Sequence, residues 1–321
     1  ERKLYIIRKA SGHAIQALLT SSRKLFDELL ETESLDCEWE ARGLLFVFQT
    51  HEAMEHYAAT DRLLREHYDL GADRHDDDAI VALEPALRSG LAGGWHYRTD
   101  AHLRPDRLMQ AWRRVLTAHG VEIREHCPML DFVVRAGAAI AVVTPQGPLE
   151  AEAFVVATGA WTPLLARQLG VRVPIEPGKG YSITMPRPRI CPAIPLIFEE
   201  HRVAVTPMQS GYRLGSTMEF AGYDATLDPR RLTILKDGAA HYLREPFCEP
   251  IEEQWFGWRP MTYDGKPIID RCPRLRNVII AAGHSMLGLS MAPATGKLVA
   301  ELLDGRRPHV DPRPYSLANR K

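Results

Sequence analysis

The chain has 321 residues, 45% hydrophobic and 25% charged, with a formal net charge of -1. That is ample for a large core in one domain or two interleaved ones, and the near-neutral balance gives no electrostatic case for nucleic acid. No apolar run nears the roughly 20 residues of a membrane-spanning helix, and the five scattered cysteines, with no CxxC, read as reduced structural thiols.

The chain begins at Glu1 and runs directly into a charged segment with no signal-peptide pattern. A cytoplasmic location is expected, with peripheral contact at the inner face of the membrane left open. Residues 6–33 carry Ile15, Leu18, Leu19, Leu25, Phe26, Leu29 and Leu30 at helical spacing, which predicts a helix packed on a core. Residues 37–49 read as strands, with Gly43 as a turn and residues 44–48 as a buried run. Residues 51–68 read as a polar amphipathic helix. Its His51, His56 and His67 lack the i, i+4 spacing of a metal pair, and no metal site is expected.

The cluster Arg74-His75-Asp76-Asp77-Asp78 reads as a loop whose last Asp caps a short helix over 79–83. An extended piece over 90–96 precedes a helix over 105–119. Residues 121–125, 129–135 and 139–144 read as a three-stranded meander. A strand over 150–157 ends in Thr158-Gly159-Ala160-Trp161. Thr162 then caps a helix to Leu169, stopped by Gly170.

From 173 to 258 proline becomes dense. Strand-like segments recur over 180–184, 196–198, 203–207 and 212–218, interrupted by a helix over 229–242. Residues 258–303 then hold a Trp-Arg-Pro loop, an Asp264-Gly265 turn and an apolar run over 267–269. A buried parallel strand over 277–282, a Gly-rich loop over 283–288 and a helix opened by Pro293 follow. A loop feeding a helix N-terminus presents backbone N–H groups to an electron-rich ligand.

Several ordered motifs carry a family resemblance. Val155-Val156-Ala157-Thr158-Gly159-Ala160-Trp161 resembles the VVATGAW strand end of FAD-dependent amino-acid oxidoreductases of the D-amino acid oxidase superfamily. Lys179-Gly180-Tyr181-Ser182 resembles the KGYS strand of its bacterial D-amino acid dehydrogenases. Arg259-Pro260-Met261-Thr262, followed by Asp264-Gly265-Lys266-Pro267-Ile268-Ile269, is similar to their RPMTPDGxPII segment. There Tyr263 stands for the usual Pro and Asp270 for a Gly. The run from Gly283-His284-Ser285-Met286-Leu287-Gly288-Leu289 to Gly296 is similar to GHGMLGLTLAPATG. The family's GxGxxG segment, which holds the ADP half of FAD, has no counterpart in the sequence, so by comparison the chain starts after that segment.

The resemblance implies an α/β fold. An incomplete Rossmann-like, glutathione-reductase-type FAD-binding domain (1–33, 102–172, 268–310) is interleaved with an α+β antiparallel-sheet substrate domain (34–101, 173–267). Residues 311–321 form a tail. It implies oxidation of D-amino acids to 2-oxo acids and ammonia by hydride transfer to flavin, with a quinone as electron acceptor. Alternatives are a relative acting on glycine, sarcosine, D-proline or hydroxyproline, and a chain that binds neither FAD nor substrate. Arg259-Pro260-Met261-Thr262 holds no cysteine where sarcosine oxidases attach FAD, which implies non-covalent binding.

On this reading Arg259 clamps the substrate carboxylate, unless it pairs an interior carboxylate. Tyr181 lines the pocket or is a buried sheet tyrosine. His284 acts on catalysis or holds the loop. Thr158, Gly159, Trp161, Gly283, His284, Ser285, Met286, Leu287, Gly288 and Leu289 are the expected flavin contacts, with loop N–H groups stabilising negative charge.

Overall fold

The computed structural model describes residues 2–320; Glu1, at the head of the expected FAD-binding domain, and Lys321, at the end of the expected tail, lie outside them. The first element is α1 (Arg2–Thr32), then β1 (Leu44–Phe48) and α2 (His51–Tyr68). Thr50 caps α2 by accepting from the Ala53 N–H, so the helix starts where its sequence signal does. Of the expected strands over 37–49, only β1 forms; Glu40 makes an isolated bridge to His102.

The charged run 74–78 is not a loop. Residues Asp73–Asp76 form β2, and Asp78 lies in the first turn of α3 (Asp78–Leu83) with no side-chain cap. β2 is the last strand of its sheet, and charge on an edge strand blocks further pairing. β3 (Gly93–Tyr97) and α4 (Pro105–Ala118) follow.

Residues 121–125 form no strand. The meander is instead β4 (Asp131–Arg135), β5 (Ala138–Thr144) and β6 (Gly147–Glu150), and the expected strand over 150–157 breaks before β7 (Phe154–Val156). A 3-10 helix (Gly159–Leu165) then leads into α5 (Ala166–Leu169). Thr162 lies inside this turn and donates to the Gly159 carbonyl, so Thr158 holds the cap position instead. Gly170 ends α5 at φ 62°, the left-handed conformation that a C-terminal glycine permits.

Next come β8 (Glu176–Met185), β9 (Leu196–Phe198), β10 (Val203–Met208), β11 (Gly211–Glu219), α6 (Pro229–Ala240) and β12 (Glu253–Met261). The Trp-Arg-Pro segment is therefore a strand, not a loop. Pro260 is tolerated because β12 is the other edge of the sheet. β13 (Ile268–Arg271), β14 (Val278–Ala282) and α7 (Gly288–Leu303) close the fold. The last helix starts at Gly288, and Pro293 lies within it. The next residue, Ala294, gives its N–H to Ser22 Oγ of α1 at 3.1 Å, which docks the two helices.

The strands make an eight-stranded sheet in the order β12-β8-β11-β10-β9-β1-β3-β2, a three-stranded sheet β13-β14-β7 and the meander β4-β5-β6. In the large sheet only the β1–β9 pair is parallel. One of its faces packs Tyr181, Ile183, Leu196, Val205 and Leu214 against Leu232 and Leu235 of α6. The small sheet buries Val278 and Ile280 on one side and Ile279 on the other. There Ile279 meets Leu18 of α1 and Leu298 of α7. Strands covered on both faces explain the unbroken apolar run of β14.

Candidate active site

β7 and β14 run parallel, so both end at the same edge of the small sheet. Ligands in α/β folds bind beyond such carboxyl ends. Thr158 and Gly159 follow β7, and Gly283 follows β14. Gly159 has φ 55° and Gly283 φ 78°. A Cβ on Gly283 would meet Thr262 Cγ2 at 2.8 Å, so only glycine lets this turn lie against the end of β12.

Two hydrogen bonds staple the loop to that strand end. Ser285 N–H donates to the Pro260 carbonyl at 3.0 Å, and the Thr262 N–H reaches Ser285 Oγ at 3.4 Å. Thr262 Oγ1 in turn donates to the Lys266 carbonyl across the Asp264-Gly265 turn. Leu287 N–H returns to the His284 carbonyl, which sets up α7. Leu287 stands at the cap position of α7 with no side-chain cap, and the first-turn N–H groups of a helix carry the positive end of its dipole. Met286 is 67% exposed and Trp161 54%, so large apolar side chains flank this end without a core to bury them.

Arg259 lies on β12 two residues from Gly257, which pairs with Gly180 of β8. A Cβ on Gly180 would collide with the guanidinium, so the absence of a side chain there is what lets Arg259 lie flat on the sheet. Its Nη1 donates to the Thr217 carbonyl at 2.9 Å. A register shift in β11, with Ser216 at φ 118° and Thr217 at φ 54°, turns that carbonyl toward it. Among the described residues no carboxylate pairs with Arg259, and burial alone draws its pKa down. The hydroxyls of Thr217 and Ser182, on the neighbouring strands, are buried and without a hydrogen-bond partner among the described residues. A guanidinium with most of its donors unspent is a site for a bidentate anion.

Tyr181 is not brought to this face. Strand alternation turns it into the core, where its hydroxyl donates to Glu219 Oε2 at 2.6 Å. Beside it Lys179 is fully buried. Its ammonium donates to Asp224 at 3.2 Å and to the Thr226 carbonyl, and faces the Phe256 ring at 4.7 Å. It thus ties the loop after β11 to β8. Tyr223 of that loop donates to the Ala160 carbonyl at 2.7 Å, fixing the 3-10 helix. Trp161 meets Trp258 edge to face at 5.8 Å, so the turn after β7 reaches the strand that carries Arg259.

His284 has its Nε2 2.9 Å from Thr295 Oγ1 of α7. Burial lowers its pKa to about 4, so the ring is neutral at pH 7. An apolar cavity of about 740 Å³ opens nearby, lined by Pro163, Leu164, Ile175, Phe220, Tyr223 and Tyr263. Sequence reading missed Gly180, Thr217 and Thr262. The Gly178-Lys179-Gly180 spacing was a usable signal, because alternate glycines on a strand bare one face. No sequence signal marks the Thr217 carbonyl.

Parallel strands that end in glycine turns ahead of a helix N-terminus are a ligand-binding arrangement of α/β sheets. The chain belongs to the FAD dependent oxidoreductase (DAO) family, whose model matches residues 5–302. It is 36% identical over 310 residues to a D-amino acid dehydrogenase of Chromohalobacter salexigens, covering 91% of this chain and 70% of that protein. It is 31% identical over 306 residues to the D-amino acid dehydrogenase of Granulibacter bethesdensis, covering 92% and 72%. Among solved structures, glycine oxidase from Geobacillus kaustophilus superposes with a TM-score of 0.85 at 24% identity, over 94% of this chain and 82% of that one. L-proline dehydrogenase from P. horikoshii superposes at 0.78 and 22% identity, over 93% and 81%. Both share the fold.

The residues present fit the ring end of FAD. The glycine-only turn at 283 and the left-handed turn at Gly159 follow the two parallel strands and meet at that edge. Thr158, Gly159, Trp161 and residues 283–289 would hold it. No helix among the described residues is long and apolar enough to cross a membrane.

Proposed function

We propose that the chain is a D-amino acid dehydrogenase. A D-amino acid loses its α-hydrogen as hydride and an N–H proton to water, and water then converts the imino acid to a 2-oxo acid and ammonia. FAD, bound non-covalently, supplies the hydride acceptor. The observation that carries this reading is Arg259, a cation on a glycine floor with no carboxylate partner among the described residues. It holds the substrate carboxylate by two parallel N–H bonds and so fixes the α-carbon.

The N-terminal N–H groups of α7 and the loop before it offset negative charge arising at the ring edge. His284, neutral and bonded to Thr295, positions the loop and removes no proton. Tyr181 supports the sheet beneath the clamp. The apolar cavity beside Phe220 and Tyr263 supports a quinone as electron acceptor. The residues of the large sheet make up the substrate domain, and those of the small sheet, the meander and α1, α4 and α7 make up the cofactor domain.

A substrate panel tests the reading. Purified protein with added FAD is mixed anaerobically with D-alanine, other D-amino acids, their L-enantiomers, glycine, sarcosine and D-proline. Bleaching of the flavin by D-amino acids is expected. Bleaching by N-methylated or cyclic amines alone would overturn it.

A further inference from the structure

The face of the large sheet that carries Arg259 has a strip of small residues one rung away. Register sets Trp255, Ser182, Gly215, Ala204, Ile197 and Phe46 level with one another across β12, β8, β11, β10, β9 and β1. Residues level in neighbouring strands point to the same side of the sheet. Ser182 follows Gly180 by two residues, so this row shares the face on which the Arg259 guanidinium lies.

The three central positions offer only a hydroxymethyl, a hydrogen and a methyl. A Cβ on Gly215 would meet Ser182 Cβ at 3.6 Å and the Tyr181 carbonyl at 3.8 Å, ordinary van der Waals contacts, so a small side chain fits there. With strands about 4.8 Å apart, the strip from Ser182 to Ala204 is about 10 Å long. Trp255 closes one end. Ile197 and Phe46 close the other, where the Phe46 ring stacks on Tyr57 at 5.1 Å.

The rung beyond is polar but spent. Arg213 pairs with Glu253 at 3.2 Å and donates to Thr184 Oγ1 at 2.8 Å. The strip therefore has an uncharged floor, a neutralised outer edge and, on its inner edge, Arg259, a cation with no carboxylate partner among the described residues.

We infer that this strip is the side-chain slot of the substrate pocket and that Gly215 and Ala204 set its depth. It takes linear or aromatic apolar side chains of 2-amino acids, running from the carboxylate clamp toward Phe46. The inference rests on Arg259 binding the carboxylate. Each methylene laid in such a slot raises affinity roughly fourfold.

Binding of non-oxidisable carboxylates tests it without turnover. Acetate, butyrate, hexanoate and 3-phenylpropionate are titrated onto the chain in excess FAD, followed by ligand-observed NMR. The wild-type affinity should climb with length. Gly215→Leu should keep acetate and weaken hexanoate at least tenfold. Gly215→Ala, whose methyl would make only ordinary van der Waals contacts, gives a smaller loss in the same direction should the leucine variant fail to fold.

A flat wild-type series, or hexanoate affinity unchanged in both variants, would overturn the slot. If the series is flat but Arg259→Met loses acetate, the clamp stands and the slot falls alone. Length-dependent binding that survives Arg259→Met overturns the clamp and the slot with it, as does a wild-type chain that binds none of the four.

Discussion

The Arg259 guanidinium lies where a side chain on Gly180 would otherwise be. Glycine here serves close approach, and the strand conformation itself is ordinary. Gly180→Ala should therefore fold, because the atoms in the way are the end of a flexible side chain. The displaced guanidinium should lose its bond to the Thr217 carbonyl. We expect a melting temperature within a few degrees of wild type and a Michaelis constant for the amino acid raised about tenfold, equivalent to about 1.4 kcal/mol. Paired melting and steady-state measurements check this.

Gly283 poses the opposite case. Its φ of 78° and the Thr262 methyl 2.8 Å from a would-be Cβ leave no cheap relief. Gly283→Val should cost roughly 2–3 kcal/mol of stability through backbone strain and displacement of the stapled loop. Affinity for FAD should fall with it. Urea unfolding and quenching of flavin fluorescence read the two effects.

His284 predicts a pH dependence of stability. Burial depresses its pKa from the ordinary 6.5 to about 4, so the unfolded chain binds a proton between those values that the folded chain refuses. Its contribution is full above pH 6.5 and is lost as the pH falls toward 4, by at most about 3 kcal/mol. His284→Gln, which keeps a partner for Thr295, should flatten that part of the curve. Urea midpoints at pH 7 and pH 4.5 for both proteins decide it. An equal acid loss in the variant would assign the effect elsewhere.

Much of the fold was legible because local signals agreed with the final environment. The polar amphipathic pattern over 51–68 bounded α2 at its true ends, and the β-branched run of β14 announced a strand buried on both faces. Two of the misreadings share one cause. β2 is charged and β12 contains glycine and proline, and both are edge strands, where solvent on one side relaxes the composition rules that mark interior strands. Pro293 read as a helix start because its missing N–H fits there, yet α1 takes up the disturbed ladder through Ser22. Arg259 was legible as a candidate clamp. That it has no carboxylate partner among the described residues depends on long-range packing of β8, β11 and β12, which no local pattern encodes.

The central claim is that Arg259 binds the substrate carboxylate and not the cofactor. Reduction of a quinone-like dye by a D-amino acid, measured for wild type and Arg259→Met with added FAD, tests it most directly. Removing a desolvated clamp costs about 2–5 kcal/mol, so the Michaelis constant should rise on the order of 100-fold. The dissociation constant for FAD should stay within about twofold. A Michaelis constant that does not change, or a loss of FAD affinity equal to the loss for substrate, would contradict the account.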